Sequence, residues 1–210
     1  LSDRNVEDLS FDALTSDLET VVETSGLKRF ALLGISQGAA LAIDYAARYP
    51  DRVSHLVLWG GYSRGRNRRG KMEDVEQAEA FKTLMRHGWG KQSSTFLRMF
   101  AALYLPEANE DQVGWWTDLQ RIATSPENAV RLRENIDDID VSDSLNRVMA
   151  PTLILHSQRE EVAPFSEARR MAAHIPNATL VPLDSANHLV QKQEPAWQRA
   201  VDEILDFLAR

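Results

Sequence analysis

A serine set between glycines, Gly34-Ile35-Ser36-Gln37-Gly38, is where the residue types of this chain first suggest chemistry. An apolar run over 29–35 gives way there to the small residues Gly38-Ala39-Ala40, so the chain must turn sharply from strand to helix at Ser36. Glycines at 34 and 38 would let the two backbones approach, pushing the serine Oγ out above the sheet. The backbone N–H of Gln37, at the start of the helix, would then face a carbonyl oxygen under attack and supply one oxyanion-hole donor. The chemistry that fits is nucleophilic acyl transfer.

A serine hydroxyl is a weak nucleophile until a base takes its proton, and the base needs an acid to orient it. The chain holds five histidines, at 55, 87, 156, 174 and 188. His188 follows the last apolar strand in Asp184-Ser185-Ala186-Asn187-His188, which puts it at the strand's C-terminal end, the same sheet edge as Ser36. Open α/β sheets place their ligands at that edge. His55 precedes its strand and falls at the opposite edge, His87 lies in a helical stretch, and His174 ends a helix. His156 ends a strand on the correct edge. The acid is sought in Ser157-Gln158-Arg159-Glu160-Glu161-Val162-Ala163-Pro164, where Glu160 and Glu161 are the carboxylates; Asp184 is a further candidate.

Regular elements must hold these residues. Ser10 is a plausible N-cap for a helix whose apolar residues Leu14, Leu18, Val21 and Val22 recur at helical spacing until Gly26. Strands are predicted over 29–35, 53–59, 152–156 and 178–183, with helices from Gly38 to about Tyr49, from Phe165 to His174, and after Glu194-Pro195. The continuous apolar runs imply strands buried on both faces, as in a parallel sheet covered by helices. Residues 62–148 break this pattern with helical periodicity, and Pro106 and Pro126 divide the stretch into several helices. The division expected is a core over 1–61, a helical insertion over 62–148 and a second core part over 149–210. Trp89, Phe96, Phe100, Trp115 and Trp116 load the insertion with aromatics, either as its own core or as walls of an acyl pocket. The basic run Arg64 to Lys71 reads as a solvated hinge, with anion binding as the alternative.

These residues resemble the α/β-hydrolase superfamily over nearly the whole chain, in the branch of proline iminopeptidases and haloperoxidase-like esterases. The phrases that carry the resemblance are GISQGAALAIDYAARYPDRVSHLVLWG, APTLILHS, VAPFSEARRMAAHIPNA and NHLVQKQEP. It implies a parallel sheet with helices on both faces and a helical cap over the site. It also implies a chain order of nucleophile, acid, histidine, which removes His156 as the base and leaves His188. The acid usually stands four residues before the proline of a D-x-V-x-P phrase, here Glu160-Glu161-Val162-Ala163-Pro164, which selects Glu160, with glutamate in place of aspartate. Leu1-Ser2-Asp3 resembles the tail of a phrase that precedes the first helix in the family. By that likeness four strands and the second oxyanion donor would lie upstream, and strand 29–35 would be an exposed apolar edge. The modules most like this one are sometimes joined to adenylate cyclase or helix-turn-helix regulators, so a ligand-sensing module of a regulatory protein is the alternative to a serine hydrolase.

The bulk numbers agree with a globular α/β enzyme. The 210 residues are enough for one full core, and 43% apolar with 26% charged residues is an ordinary globular profile. A net charge of −7 argues against nucleic acid or an anionic membrane as the main partner and leaves a small-molecule acyl substrate. The absence of cysteine excludes a disulfide framework, a thiolate metal site and a cysteine nucleophile. No metal or other cofactor is called for, and a cytoplasmic location is expected.

Overall fold

A computed structural model describes residues 5–91 and 95–210; Leu1-Ser2-Asp3 lies outside the described residues. The chain runs α1 (Phe11–Ser25), β1 (Phe30–Ile35), α2 (Gly38–Arg48), β2 (Val53–Trp59), α3 (Met72–Gly88), α4 (Thr95–Tyr104), α5 (Glu110–Ala123) and α6 (Pro126–Asp138). It continues with β3 (Thr152–Ser157), α7 (Phe165–His174), β4 (Ala178–Leu183) and α8 (Pro195–Leu208). The local signals act as expected. The Ser10 side chain accepts from Ala13 N–H, Gly26 closes α1 in the left-handed conformation, and Pro126 opens α6 at its first turn.

The four strands form one parallel sheet in the order β1-β2-β3-β4. Opposite residues include Ile35 with Trp59, Leu58 with Ile154, and Ile154 with Leu180. Because side chains alternate across a strand, one set faces α1, α2 and α7: Leu56, Leu58 and Ile154 pack with Val22, Ile43, Ala168 and Met171. The other set, Val57, Trp59, Leu153, Leu155, Val181 and Leu183, packs under α8 through Ala196, Ala200 and Trp197. A fully buried side chain of this size is worth about 1.5–3 kcal/mol, so the central strands anchor the sheet.

One expectation fails at the edges of the sheet. β3 is buried throughout, but β1 and β4 are not covered on both faces. Leu33 and Ile35 of β1 are 50% and 43% exposed, because α8 packs over β3 and β4 and does not reach them. β1 is the outermost strand in the order of the four.

Between β2 and β3 the helices α3–α6 build a separate apolar cluster from Met85, Trp89, Phe96, Leu97, Phe100, Ala129 and Val130. The chain enters and leaves this helical segment side by side. Val141 N–H donates to Ser63 O at 2.9 Å, Gly65 N–H donates to Ile139 O at 2.8 Å, and Arg64 bridges Asp140 in antiparallel fashion. Ile139, Val141, Leu145 and Val148 then pack back into the core under the sheet.

The bridge is anchored by Glu167, 1% exposed at the start of α7. Its Oε2 accepts from Ser63 N–H, Ser63 Oγ and Arg64 N–H, and its Oε1 accepts from the Arg64 guanidinium. Five donors on one buried carboxylate offset the cost of removing its charge from water.

Candidate active site

Ser36 lies at the turn from β1 to α2 with φ 54°, the only positive φ at a non-glycine among the described residues. The left-handed region costs such a residue about 1–2 kcal/mol. It is held there by Ser36 N–H donating to Trp59 O at 2.9 Å and by Ala39 N–H donating to Ser36 O at 3.0 Å. Gly34 makes the turn possible, since a Cβ there would stand 2.6 Å from Gly38 O and 2.7 Å from Ala39 Cα. Gly38 does not share that role: a Cβ there would meet nothing within 4 Å, so the close approach rests on Gly34 alone. Gln37 follows in helical conformation, and its N–H enters no hydrogen bond among the described residues.

The structure brings His188 and Glu160 to Ser36 from two other sheet-edge loops. Ser36 Oγ donates to His188 Nε2 at 2.8 Å, and His188 Nδ1 donates to Glu160 Oε2. That tautomer is assigned from the carboxylate facing Nδ1. Glu160 and His188 are 7% and 1% exposed, whereas Glu161 is exposed and faces away. Ala163 N–H donates to Glu160 Oε2 at 3.2 Å, so the turn after β3 closes on its own carboxylate. Burial pushes the Glu160 carboxyl up, but the neighbouring imidazoles of His156 and His188 outweigh it and hold the group below the usual carboxylate range.

His156 was set aside on chain order, yet the structure places it against the acid. Fully buried at the end of β3, its Nε2 donates to Ala163 O at 3.0 Å and lies 2.8 Å from Glu160 Oε1. The hydrogen-bond direction favours Ala163, which leaves Oε1 in electrostatic contact rather than in a formed hydrogen bond. Glu194 is a second residue that sequence reasoning missed. Its carboxylate accepts from Ser185 Oγ at 2.6 Å and Asn187 Nδ2 at 2.8 Å, bracing the loop that carries His188. Ser157 Oγ donates to Asn187 O at 2.7 Å, and His188 N–H donates to Tyr104 O at 2.8 Å, so the helical segment reaches the site. The other candidates stand apart. Asp184 is exposed and paired with Arg159, His55 packs edge-on against Phe207, and His174 Nδ1 donates to Arg170 O.

A cavity of about 40 Å³ opens beside Ser36 and Gln37, lined also by Tyr62, Tyr104, Val162, Ile136 and the arginines 66, 69 and 133. Trp89, Phe96 and Phe100 do not line it; they form the core of the helical segment, and Trp115 is 63% exposed. The basic loop is not a solvated hinge either. Arg66 is 8% exposed, and Arg64 is bound to Glu167. A larger cavity, about 150 Å³, is lined by Arg64, Arg66, Arg69, Asp74, Glu161 and Glu167, and Ser36 does not line it.

Among the described residues no three His, Cys, Asp or Glu side chains stand together as metal ligands. No helix of the described residues is long and apolar enough to cross a membrane.

Known proteins share this fold. The family model described as the alpha/beta hydrolase fold matches residues 2–195. The chain is 28% identical over 201 residues to the AB hydrolase superfamily protein YisY of Bacillus subtilis, covering 89% of this chain and 70% of that one. It is 26% identical over 188 residues to the pyrrolizixenacetamide deacetylase of Xenorhabdus hominickii, covering 89% and 69%. Among solved structures, an esterase from Exiguobacterium antarcticum superposes with a TM-score of 0.81 at 20% identity, covering 96% of this chain and 74% of the esterase.

Proposed function

From a chain that belongs to the alpha/beta hydrolase fold family and is a hydrolase, we propose a serine hydrolase that works on an ester, amide or related small-molecule acyl substrate through Ser36, His188 and Glu160. The single observation that carries this reading is the unbroken relay from Ser36 Oγ to His188 Nε2, 2.8 Å, and from His188 Nδ1 to Glu160 Oε2. Ser36 Oγ attacks the carbonyl carbon while His188 Nε2 takes the serine proton. The carbonyl π electrons move onto oxygen, where the free Gln37 N–H is placed to donate. The tetrahedral centre collapses, the bond to the leaving group breaks, and that group departs with the proton held by His188. Water then enters by the same steps in reverse order, its proton going to His188 and its hydroxyl to the acyl carbon, and the carboxylic acid and free Ser36 are released.

Glu160 remains ionised throughout and stabilises the transient imidazolium. The helical segment, reaching His188 through Tyr104, acts in this reading as a cap that excludes water. A fluorophosphonate probe tests the proposal. The folded wild-type chain is expected to be labelled and Ser36→Ala to lose the label; a folded wild-type chain that takes no label overturns the reading.

A further inference from the structure

The cavity beside Ser36 carries charge that the chain itself does not neutralise. Three arginines line it, and no aspartate or glutamate does. Arg133 is accounted for from behind, since its Nε donates to Asp137 Oδ2 at 3.0 Å and Asp137 is fully buried. Arg69, half-buried, donates from Nε to Arg64 O at 3.1 Å and lies over the Tyr62 ring. Arg66 is different. It is 8% exposed, it has no side-chain hydrogen bond or ion pair among the described residues, and its only partner is the Phe81 ring, 5.6 Å from the guanidinium carbon.

Arginine does not escape burial by losing its proton. Burying a cation without a counter-charge is costly, and a single aromatic face offsets only part of that cost. Burial and the neighbouring Arg133 act against the charge on Arg66, and Asp137 offsets them only in part. Its position is nevertheless imposed by the backbone. Gly65 packs so tightly on α6 that a Cβ would stand 2.3 Å from Ile136 O, and the paired crossing at Ser63–Gly65 and Ile139–Val141 holds the loop on both sides. Arg66 thus lines both the small cavity of the nucleophile, where no carboxylate stands, and the larger one that Asp74, Glu161 and Glu167 also line, and it forms an ion pair with none of the three among the described residues.

We propose that this cavity takes an acyl substrate carrying a carboxylate a short chain away from the scissile carbonyl, with Arg66 as its principal partner and Arg69 beside it. This rests on the serine hydrolase reading of the same site. A carboxylate matches the planar fork of a guanidinium and supplies the charge that the protein omits. The cavity's size selects a short chain. A neutral acyl chain of equal length would leave Arg66 buried and unpaired in the complex, so discrimination comes from the arginine as much as from any new contact.

Two matched substrate pairs test the proposal. 4-Nitrophenyl hydrogen glutarate against 4-nitrophenyl valerate puts the carboxylate on the acyl side, and acetoxyacetate against ethyl acetate puts it on the leaving group. The expected result is at least a tenfold preference in kcat/KM for the charged member of one pair. That preference should fall about tenfold in Arg66→Gln and return in part in Arg66→Lys. A preference for the neutral member in both pairs, or an equal loss on both members in Arg66→Gln, overturns the inference.

Calorimetric titration with glutarate reads the site without turnover. Binding by the wild type that is lost in Arg66→Gln and kept in Arg66→Lys supports it, and no binding by the wild type overturns it. Fluorophosphonate labelling separates the two readings. Labelling of Ser36 without charge preference defeats the carboxylate inference alone, whereas Arg66-dependent glutarate binding without labelling defeats the hydrolase reading alone.

Discussion

His156 Nε2 lies 2.8 Å from Glu160 Oε1, so the carboxylate that orients His188 through one oxygen meets a second buried histidine at the other. Glutamate is one methylene longer than the aspartate usual at this position of the family, and the support that His156 gives its second oxygen from the end of β3 is electrostatic.

Removing that support is expected to act through the acid. The Glu160 carboxyl is held below its ordinary value, so its contribution to stability is fully present above about pH 4.3 and is lost as the pH falls through the lower folded value. In His156→Phe burial is less opposed and the folded value rises. Loss of thermal stability on acidification should then begin at higher pH than in the wild type, and the acid limb of kcat/KM should move the same way. Melting curves and rate profiles between about pH 3 and 7 check this; superimposable profiles would remove His156 from any role in tuning the acid.

Changing the acid itself separates charge from reach. Glu160→Gln removes the charge that fixes the His188 tautomer, and kcat should fall by about 10⁴. Glu160→Asp keeps the charge but withdraws the carboxylate by a methylene, and a misplacement of this size costs about 100-fold. Steady-state kinetics on one activated ester would show the order wild type, Asp, Gln. Equal activity of Gln and wild type would mean that the acid lies elsewhere.

The two glycines around the nucleophile should respond in opposite directions. Gly34→Ala forces a methyl to within 2.6 Å of Gly38 O and should cost about 1–3 kcal/mol, together with loss of labelling at Ser36. Gly38→Ala meets open space at the start of α2 and should be neutral or stabilising by up to about 1 kcal/mol. Chemical denaturation of both variants reads the difference.

Arg64→Ala strands the Glu167 carboxylate, 2% exposed, without its cation. The Arg64 side chain is itself 27% exposed, so the low end of the range for breaking a buried pair applies, about 3 kcal/mol. Because Arg66 is two residues on, the variant should also raise KM. An unchanged melting temperature would show that the three neutral donors from Ser63 and the Arg64 backbone hold Glu167 without the guanidinium.

The strands and their flanking helices were legible in the sequence because their signals are local: apolar runs of six or seven residues, Ser10 before α1, Gly26 after it, prolines at 126 and 195. The choice of Glu160 came from the resemblance of its phrase to the family's D-x-V-x-P, since the residues alone left Glu161 and Asp184 open. Other features depend on what packs against what. Leu33 and Ile35 have the composition of a doubly covered strand, yet α8 packs on β3 and β4 and does not reach them. A run of arginines looks solvated because charge normally is; the burial of Arg66 follows from the docking of Gly65 on α6, which no periodicity records. Glu194 reads as an ordinary helix N-terminus, yet its carboxylate turns back onto the loop of His188.

The side-by-side crossing at Ser63–Gly65 and Ile139–Val141 has a consequence for how such an enzyme could be remodelled. An excursion stitched together at its base is, to the rest of the protein, one short tether whatever its contents. The entropy of closing it grows only with the logarithm of its length, about 0.6 kcal/mol per doubling. Helices could be grafted, trimmed or exchanged above that seam at small cost to the sheet below. Ser36, Glu160 and His188 all hang from sheet-edge loops beneath it, so an exchange would leave the reacting groups in place provided that the contact from Tyr104 O to His188 N–H were kept.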